Sequence, residues 1–444
     1  MSMIIKNNIE ALKVINLMDQ NQSALQKDLN KVTTGMKINT AADDASPWAI
    51  SERMRMRIRA LDQDYQNIQN DSALMKTAEG AVSNTIEILK TLKERAINAA
   101  NDSNTDEDRA TIQKEIDQFI DQIDDNALVQ FNGKYLVDGS KNHAVISSKT
   151  ILLNQSLSTG TQAASALTDL ANRAGDMLEI HSDDKYQVSW VNNGVTATTS
   201  GVVGGVTLTD LLTIPTDSND AQLGVISELA TGNVFDATVK TKYDTDIYTP
   251  DRTAAIAFVA NKAGVTSQIA GFTISITDAQ GNIKKAANSS LDQFKLMQRA
   301  ENQTGDKSLT FHSGPEANVA MKVALGDMRA EALGLKGSNN DKVSVRTKED
   351  ANSTINAIEN ALTMSLDEQI TIGAVLSRLE YTVTNILTAR DNDQASESTI
   401  RDADMAKEMT SYTKNNVLLQ TAQAMLSQAN QNPSAVLGLL QNQA

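Results

Sequence analysis

The chain has 444 residues, no cysteine and a formal net charge of −15 at pH 7. It is too long for one ordinary domain, and without cysteine it forms no disulfide and no thiolate zinc or iron–sulfur site. Its acidic balance repels nucleic acid and anionic membranes, so neither is an expected partner.

The first segment of the chain predicts an amphipathic helix. Leu12 and Leu25 belong to an apolar stripe at helical spacing that ends before Gly35. Lys6 and Glu10 interrupt the apolar residues, so the segment is not a secretory signal. Since the chain has no run of about 18 apolar residues, the sequence predicts no membrane-spanning helix and an uncommon route for any export.

A long helix is predicted over residues 50–99, where Gly80 is the sole glycine. Its apolar residues alternate at spacings of four and three, the heptad rhythm of a coiled coil, with polar interruptions at Ser72 and Glu79. Such a helix is about 75 Å long and must pack against other long helices. A loop at 101–106 and a second helix follow. The apolar positions are Met54, Ile58, Leu61, Tyr65, Ile68, Met75, Val82, Ile86 and Leu89.

The middle of the chain holds half of its 22 glycines and carries strand signals. Asn193 and Gly194 lie between two runs rich in β-branched and aromatic residues, which predicts a hairpin over 186–199. A further strand is predicted at 272–277, followed by a turn at 278–282. Short helices are predicted at 163–180 and 290–300. We therefore expect one or two inserted α+β domains.

The last part of the chain repeats the helical pattern of the first. A second apolar series predicts another long helix, which the polar stretch 390–399 is expected to interrupt. A final helix is predicted over about 400–429. Because both chain ends are amphipathic, they are expected to pair with each other or with neighbouring copies. The positions in these two helices are Leu376, Leu379, Val383, Met409, Leu419 and Leu426.

Motifs for chemistry are missing from the sequence. It contains no His-Glu-x-x-His pattern, no phosphate-binding glycine loop and no nucleophile elbow. The acidic pairs at 43–44 and at 402 and 404 are interpreted as helix caps. The arginines at 53, 55, 57 and 59 indicate a solvated face or salt bridges between subunits. No catalytic residue, metal or cofactor is predicted.

Both ends of the chain resemble bacterial flagellins. The matching motifs are TGMKINTAADDA at 34–45, AISERM at 49–54, QFNGK at 130–134, DMRAEALGL at 327–335, STIRDADMA at 398–406, AMLSQANQ at 424–431 and VLGLL at 436–440. The resemblance covers about 1–140 and 305–444. One departure is Ser-Pro-Trp at 46–48, where the family has small residues and glycine.

The resemblance implies a mainly α fold. A long, antiparallel, coiled-coil-like frame from both chain ends would carry an inserted α+β or β-rich variable region. Residues 1–40 and 400–444 would form the inner tube of a filament, 41–140 and 305–399 its outer tube, and 141–304 a surface insert. The twelve filament-packing candidates are Leu12, Leu25, Met54, Ile58, Leu61, Ile68, Leu376, Leu379, Val383, Met409, Leu419 and Leu426.

The resemblance also implies partners and a location. The chain would self-assemble into the extracellular filament of the bacterial flagellum for swimming, after secretion through the flagellar type III export apparatus. An export chaperone would hold its last helix, and cap and hook–filament junction proteins would flank it. Two alternatives remain open: a hook–filament junction protein, and an enzyme carrying a protease insert, against which the missing His-Glu-x-x-His pattern argues.

A vertebrate Toll-like receptor reads flagellins at a patch with the pattern L-Q-R-x-R-E-L-A-V-Q. This chain has LKTLKERAIN at 89–98, beginning with Leu89. Thr91 stands where the family has a fork-forming arginine, and Arg95 where it has an apolar leucine. Glu115 retains the acidic position. The resemblance therefore implies a weak ligand of this receptor.

Overall fold

A computed structural model describes residues 8–211, 240–241, 243–249, 253–260 and 262–441, with side chains up to residue 431. The extreme ends of the predicted inner-tube segments and residues 212–239 of the predicted insert lie outside the described residues. The chain divides into two compact units. One comprises Met1–Asn67, Ser313–Val319 and Thr382–Ala444, and the other Ile68–His312 and Ala320–Tyr381.

Long helices at both chain ends flank a region of short strands. The described helices are α1 (Ile9–Thr34), α2 (Ala45–Ala99), α3 (Asp106–Ala127), α4 (Lys285–Leu291), α5 (Lys348–Arg401) and α6 (Met405–Gln441). The described strands are β1 (Gln130–Phe131), β2 (Lys134–Tyr135), β3 (Ile151–Asn154), β4 (Lys185–Asn192), β5 (Val195–Val202), β6 (Ile256–Val259), β7 (Ile269–Thr277), β8 (Lys295–Gln298), β9 (Leu309–His312) and β10 (Ala320–Val323). The predicted fold class is confirmed.

Helices α1 and α6 pack together in the first unit. Asn8 caps α1 by accepting a hydrogen bond from the Ala11 amide, and its side-chain amide donates to the Ala429 carbonyl at 2.9 Å. Gly35 ends α1 in the left-handed conformation, at φ 72°, as its position after the apolar stripe predicts. Asp404 caps α6 by accepting from the amides of residues 406 and 407, which confirms the capping interpretation there.

Helices α2 and α5 also pack together, and ion pairs join them. Arg57 lies 3.0 Å from Asp393 and Arg55 lies 3.8 Å from Glu397. The predicted interruption at 390–399 is therefore wrong: α5 continues to Arg401, since α2 supplies partners for its polar residues. Arg55 and Arg57, two of the four arginines predicted to face solvent or other subunits, therefore bind partners within the chain.

The inserted region contains two three-stranded antiparallel sheets, with strand orders β6-β3-β8 and β5-β4-β7. Strands β4 and β5 form the predicted hairpin, whose turn residues Asn193 and Gly194 have φ of 49° and 78°. The core beside the second sheet holds three aromatic rings. Phe294 stacks on Phe258 at 4.3 Å between centroids, and both rings contact Phe272.

Two short helices predicted in the insert are wrong. Residues 163–180 are mostly irregular, with one 3-10 turn at Leu167–Asp169. Asn172 accepts hydrogen bonds from the Ala174 and Asp176 amides, which closes a turn that competes with a helix. Residues 290–300 hold the end of α4 and then β8, which pairs with β3.

The insert packs directly on α5. A Cβ on Gly271 of β7 would lie 2.2 Å from the Ser353 carbonyl oxygen, so glycine permits this close approach. Asn356 and Asn360 of α5 donate to the carbonyls of Phe272 and Ala270 at 2.9 and 2.7 Å. No described helix is both long and apolar enough to cross a membrane.

Candidate assembly surface

An unusual number of large apolar side chains lie exposed on α1 and α6. Two paired helices can bury only one stripe each, and small residues such as Ala11, Ala422 and Ala429 fill it. Ten larger apolar side chains on the same two helices stay exposed. They are Ile9, Leu12, Ile15, Leu17 and Leu29 on α1 and Met405, Met409, Val417, Leu418 and Met425 on α6, each at least 39% exposed.

A shallow groove on α6 forms part of this surface. Met409, Val417 and Leu418 line it, together with Thr413 and the stem of Lys414. An exposed apolar patch of this kind marks a protein contact. Its chemistry suits an apolar helix, since its lining combines methionine, aliphatic and threonine side chains.

The twelve predicted packing residues fall into three groups by exposure. Leu12 and Met409 are exposed, at 58% and 45%, and are available to another subunit. Leu61, Ile68 and Leu379 are buried within the chain, because α2 and α5 pack against their own neighbours. They hold the subunit together and are not free for contacts between subunits. The half-buried group comprises Leu25, Met54, Ile58, Leu376, Val383, Leu419 and Leu426.

The motifs at opposite ends of the chain meet beside α1 and α6. The Lys37 amide donates to the Arg401 carbonyl at 2.8 Å, and the Ala403 amide donates to the Gly35 carbonyl at 2.9 Å. The buried Arg401 side chain donates to Glu52 at 2.6 Å and lowers the pKa of that carboxyl. This ion pair was not predicted from the sequence, although both residues lie in the matching motifs.

Polar side chains align α1 with α6. Buried Asp28 accepts a hydrogen bond from the Asn415 amide at 2.7 Å. Lys31 lies 3.8 Å from Glu408. A buried polar contact favours one alignment of two otherwise apolar helices. These contacts give α1 and α6 a fixed register, so their exposed apolar residues present a defined surface.

One member of the predicted acid pair at 43–44, Asp43, has a different role from the one expected, whereas Asp44 directly precedes α2, as the capping interpretation requires. Asp43 accepts hydrogen bonds from the Asn39 and Thr40 amides at 3.1 and 2.9 Å. These bonds, the Thr40 bond foremost, lower the pKa of the Asp43 carboxyl. Asp43 therefore closes the turn before α2 and does not cap the helix itself.

The four receptor-patch residues do not form one exposed surface. Leu89 is fully buried. Its side chain lies inside the packing around α2 and is therefore not available to a receptor. The Thr91 hydroxyl donates to the Glu87 carbonyl at 3.1 Å. Arg95 forms an ion pair with Glu115 of α3 at 3.0 Å. The two charged residues of the patch thus bind each other.

Among the described residues, no group of three or more His, Asp or Glu side chains could hold a metal ion. His143 instead contacts Tyr243 at 3.1 Å, and His181 contacts Lys284 at 3.1 Å. These two histidines therefore take part in ordinary side-chain contacts within the insert.

The exposed apolar side chains of the paired terminal helices mark a surface for contacts with other protein chains. Residues 5–142 match the model of the bacterial flagellin N-terminal helical region, and 355–440 match that of the C-terminal helical region. The chain is 30% identical over 430 residues to a flagellin of Clostridium tyrobutyricum, covering 97% of this chain and 99% of that protein. A Bacillus subtilis flagellin is 26% identical over 458 residues, covering 99% and 100%.

The chain belongs to the bacterial flagellin family. It is a structural subunit of the flagellar filament and not an enzyme. Among solved structures, flagellar hook associated protein-3 from Legionella pneumophila is 15% identical, with a TM-score of 0.33, and the match covers 79% of this chain and 98% of that chain.

Proposed function

We propose that the chain is exported from the cell and polymerises into the extracellular filament that drives swimming. The observation that carries this proposal is the set of large apolar side chains that stay exposed on α1 and α6. Burial of such surface yields about 25 cal/mol per Å², so assembly needs no nucleotide. A contact between two different surfaces produces an open helical polymer when the rotation between neighbouring copies does not close a ring.

The assembly surface is tested by placing a charge within it. We expect Leu12→Asp and Met409→Asp to abolish seeded polymerisation, because an unpaired buried carboxylate costs several kcal/mol. Both positions are exposed, so the monomer should keep its melting temperature. Ile283→Asp in the insert is the matched control, as Ile283 is 57% exposed against 58% for Leu12. Sedimentation and electron microscopy measure the polymer, and normal filaments from both α1 and α6 variants would contradict the proposal.

Export partners belong to the same proposal. We expect the chain to pass through the flagellar type III apparatus, with a chaperone covering the groove at Met409, Val417 and Leu418 until export. Cap and junction proteins would then contact the growing filament. Secretion of Met409→Asp into the medium by a flagellated strain, compared with the unmodified chain, measures the export step separately from polymerisation. Retention of both proteins in the cell would count against this route.

A hook–filament junction protein is the alternative role. Such a protein forms a short ring, whereas a filament subunit forms long homopolymers. The extended apolar surface on both α1 and α6 favours the long polymer. Purified chain that stops at short rings after seeding would favour the junction role.

We also propose that the chain is a weak ligand of the vertebrate Toll-like flagellin receptor. The Arg95–Glu115 ion pair supports this, because a receptor residue that needs Glu115 must compete with Arg95. Thr91 also lacks the forked hydrogen bonds of an arginine. We expect Thr91→Arg with Arg95→Leu to raise potency by at least about tenfold in a receptor-reporter dose series. No gain from the double variant would contradict the idea.

A further inference from the structure

The two edge strands of the sheet β5-β4-β7 differ in whether their outer edges are covered by other parts of the chain. Strand β7 is covered along its outer edge. The amides of Ile274 and Ile276 donate to Asp292 and Asn288 at 3.1 and 2.7 Å, and Asn356 and Asn360 bind the carbonyls further along the strand. Such side-chain caps prevent another strand from pairing at that edge.

Strand β5 has no comparable cover among the described residues. All eight of its residues pair in continuous register with β4, without a bulge. In an antiparallel pair that follows a two-residue turn, every second residue points its N–H and C=O away from the partner strand. On β5 these residues are Thr196, Thr198, Ser200 and Val202. Thr198, Ser200 and Val202 are exposed, whereas Thr196 is half-buried.

The composition of this edge also lacks the usual protection. No charged residue occurs from Tyr186 to Thr209, although 21% of the chain is charged. Strand β5 contains no proline, and β-branched residues fill most of it. A long, regular and uncharged edge is a template for pairing with another strand. The acidic chain as a whole repels its copies, but this strand contributes nothing to that repulsion.

We propose that β5 pairs edge to edge with β5 of a second copy of this chain. An antiparallel register centred on Ser200 brings Ser200 opposite its own copy and Thr198 opposite Val202. The three facing pairs would exchange about six backbone hydrogen bonds. The facing side chains are small or β-branched and uncharged, a combination that favours cross-strand contacts. A second copy fits this edge because the antiparallel register centred on Ser200 is symmetric, so two identical strands present the same residues to each other.

The symmetry of this pairing determines which copies of the chain it can join. The contact uses the same patch on both copies and therefore requires a two-fold axis. Neighbours within one helical filament are related by a screw rotation, so the pairing links copies in different filaments. One strand pair falls well below the roughly 1,200 Å² of a stable interface. Many pairs acting together along two filaments supply the strength, so this inference rests on the proposed function.

Cysteine cross-linking tests the register in assembled filaments. The chain has no native cysteine, so every disulfide dimer arises from the introduced residue. In the proposed register two Ser200→Cys residues face each other at about 5.5 Å between Cα atoms, within disulfide range. Two Thr198→Cys residues lie about 14 Å apart between Cα atoms, because they are offset by four residues on neighbouring strands. After mild oxidation we expect at least about tenfold more dimer from Ser200→Cys than from the Thr198→Cys control.

A charge at the edge tests whether the pairing joins filaments. In the Ser200→Cys background, Thr198→Lys should lower the dimer yield about tenfold and separate filaments that electron microscopy shows side by side. Gln187→Lys is the matched control, since Gln187 lies opposite Ser200 on the inner strand and adds the same charge away from the edge. Normal single filaments with equal dimer yields from all these variants would overturn the pairing and leave the proposed function standing.

Discussion

Asp292 is a carboxyl group held in a mostly apolar position between β7 and α5. It accepts a hydrogen bond from the Ile274 amide at 3.1 Å. Burial raises the pKa of Asp292 from 3.8 to about 6, although hydrogen bonds from Thr273, Ile274 and Asn356 oppose the rise. The folded chain therefore binds this proton more tightly than the unfolded chain does.

Replacing this carboxyl should change how stability depends on pH. A raised pKa means that the contribution of Asp292 to stability is full below about pH 4 and is lost as the pH rises through about 6. We expect Asp292→Asn to raise stability by about 1–2 kcal/mol at pH 8 and by little at pH 4.5. Calorimetric melting of both proteins across this range measures the difference.

Asp278 provides the control of opposite sign. Hydrogen bonds from the Asn282 side chain and backbone lower the pKa of the Asp278 carboxyl, so its contribution is present at neutral pH and is lost on acidification. Asp278→Asn should therefore melt earlier than the unmodified chain at pH 8 and approach it in acid. Parallel pH curves for the unmodified chain and Asp292→Asn would contradict the assignment to Asp292.

Gly337 permits a close contact between the hairpin tip and the loop before α5. A Cβ on Gly337 would lie 1.9 Å from the Asn193 carbonyl oxygen, which belongs to the backbone and cannot move alone. We expect Gly337→Ala to lower stability by about 1–3 kcal/mol through this overlap. Gly80→Ala is the control: a Cβ there meets nothing within 4 Å, and alanine should stabilise α2 by about 0.5–1 kcal/mol. An unchanged melting temperature for Gly337→Ala would contradict this prediction and show that the loop shifts to accommodate the added methyl group at little cost.

Residue-level predictions from the sequence succeeded where a local rule decides the conformation. Asn193 and Gly194 require a positive φ that few other residues adopt, so the hairpin turn was recognisable. Leu89 was predicted both on the apolar seam of α2 and in the receptor patch, and its burial agrees with the seam and not with the patch. Its burial depends on which elements pack against α2. A heptad pattern identifies the buried face of a helix but not the elements that cover it.

Among the elements, α5 shows how tertiary contacts override a local pattern. Its segment 390–399 is polar and offers no apolar stripe, which favoured an interruption. In the structure Arg390 pairs with Asp62 at 3.5 Å, and Asp393 and Glu397 meet arginines of α2. Partners that lie hundreds of residues away in sequence are invisible to a window of neighbouring residues.

The failed helix at 163–180 has a different cause. Leu167, Leu170 and Leu178 have a spacing compatible with a helix, yet they reach the insert core from irregular backbone. Gly175, at φ 95°, and the turn at Asn172 break the segment. Apolar spacing alone therefore cannot separate a short helix from a loop that buries its leucines.

Buried and half-buried positions on the long helices should respond differently to a charge. Leu379 is 1% exposed, so Leu379→Asp should destabilise the monomer by about 3 kcal/mol or more and prevent assembly as a consequence. Leu426 is half-buried on α6, and Leu426→Asp should block polymerisation with a much smaller change in melting temperature. Monomer calorimetry combined with sedimentation after seeding separates the two effects. A Leu379→Asp monomer as stable as the unmodified chain would contradict the burial of this position.

At the scale of the whole molecule, the division into a helical frame and an insert was predictable from glycine distribution. The attachment of the insert was not. Residues 141–304 were predicted only as a surface insert, without a contact to the frame, whereas β7 packs closely on α5 through Gly271 and the caps from Asn356 and Asn360. Neither asparagine belongs to a recognisable motif, so the contact had no sequence signal.

Deletion of residues 141–304 tests how far the insert serves assembly. The exposed apolar residues of α1 and α6 remain in the shortened chain, so we expect a variant with a short linker between Ser140 and Gly305 to polymerise after seeding. The break is easily bridged, because the Lys307 amide donates to the Asn142 carbonyl at 3.0 Å and the two chain segments are neighbours.

The same deletion should weaken the frame. Removing β7 exposes the face of α5 around Ser353 and Ala357, both fully buried in the intact chain, and leaves Asn356 and Asn360 without their backbone partners. We therefore expect a melting temperature lower by several degrees, by roughly 2 °C for each kcal/mol lost in a chain of this size, together with normal filament length. Calorimetry of the monomer and electron microscopy of the polymer measure the two quantities independently. A shortened chain that is helical by circular dichroism but cannot extend seeds would show that the insert supplies contacts that assembly requires.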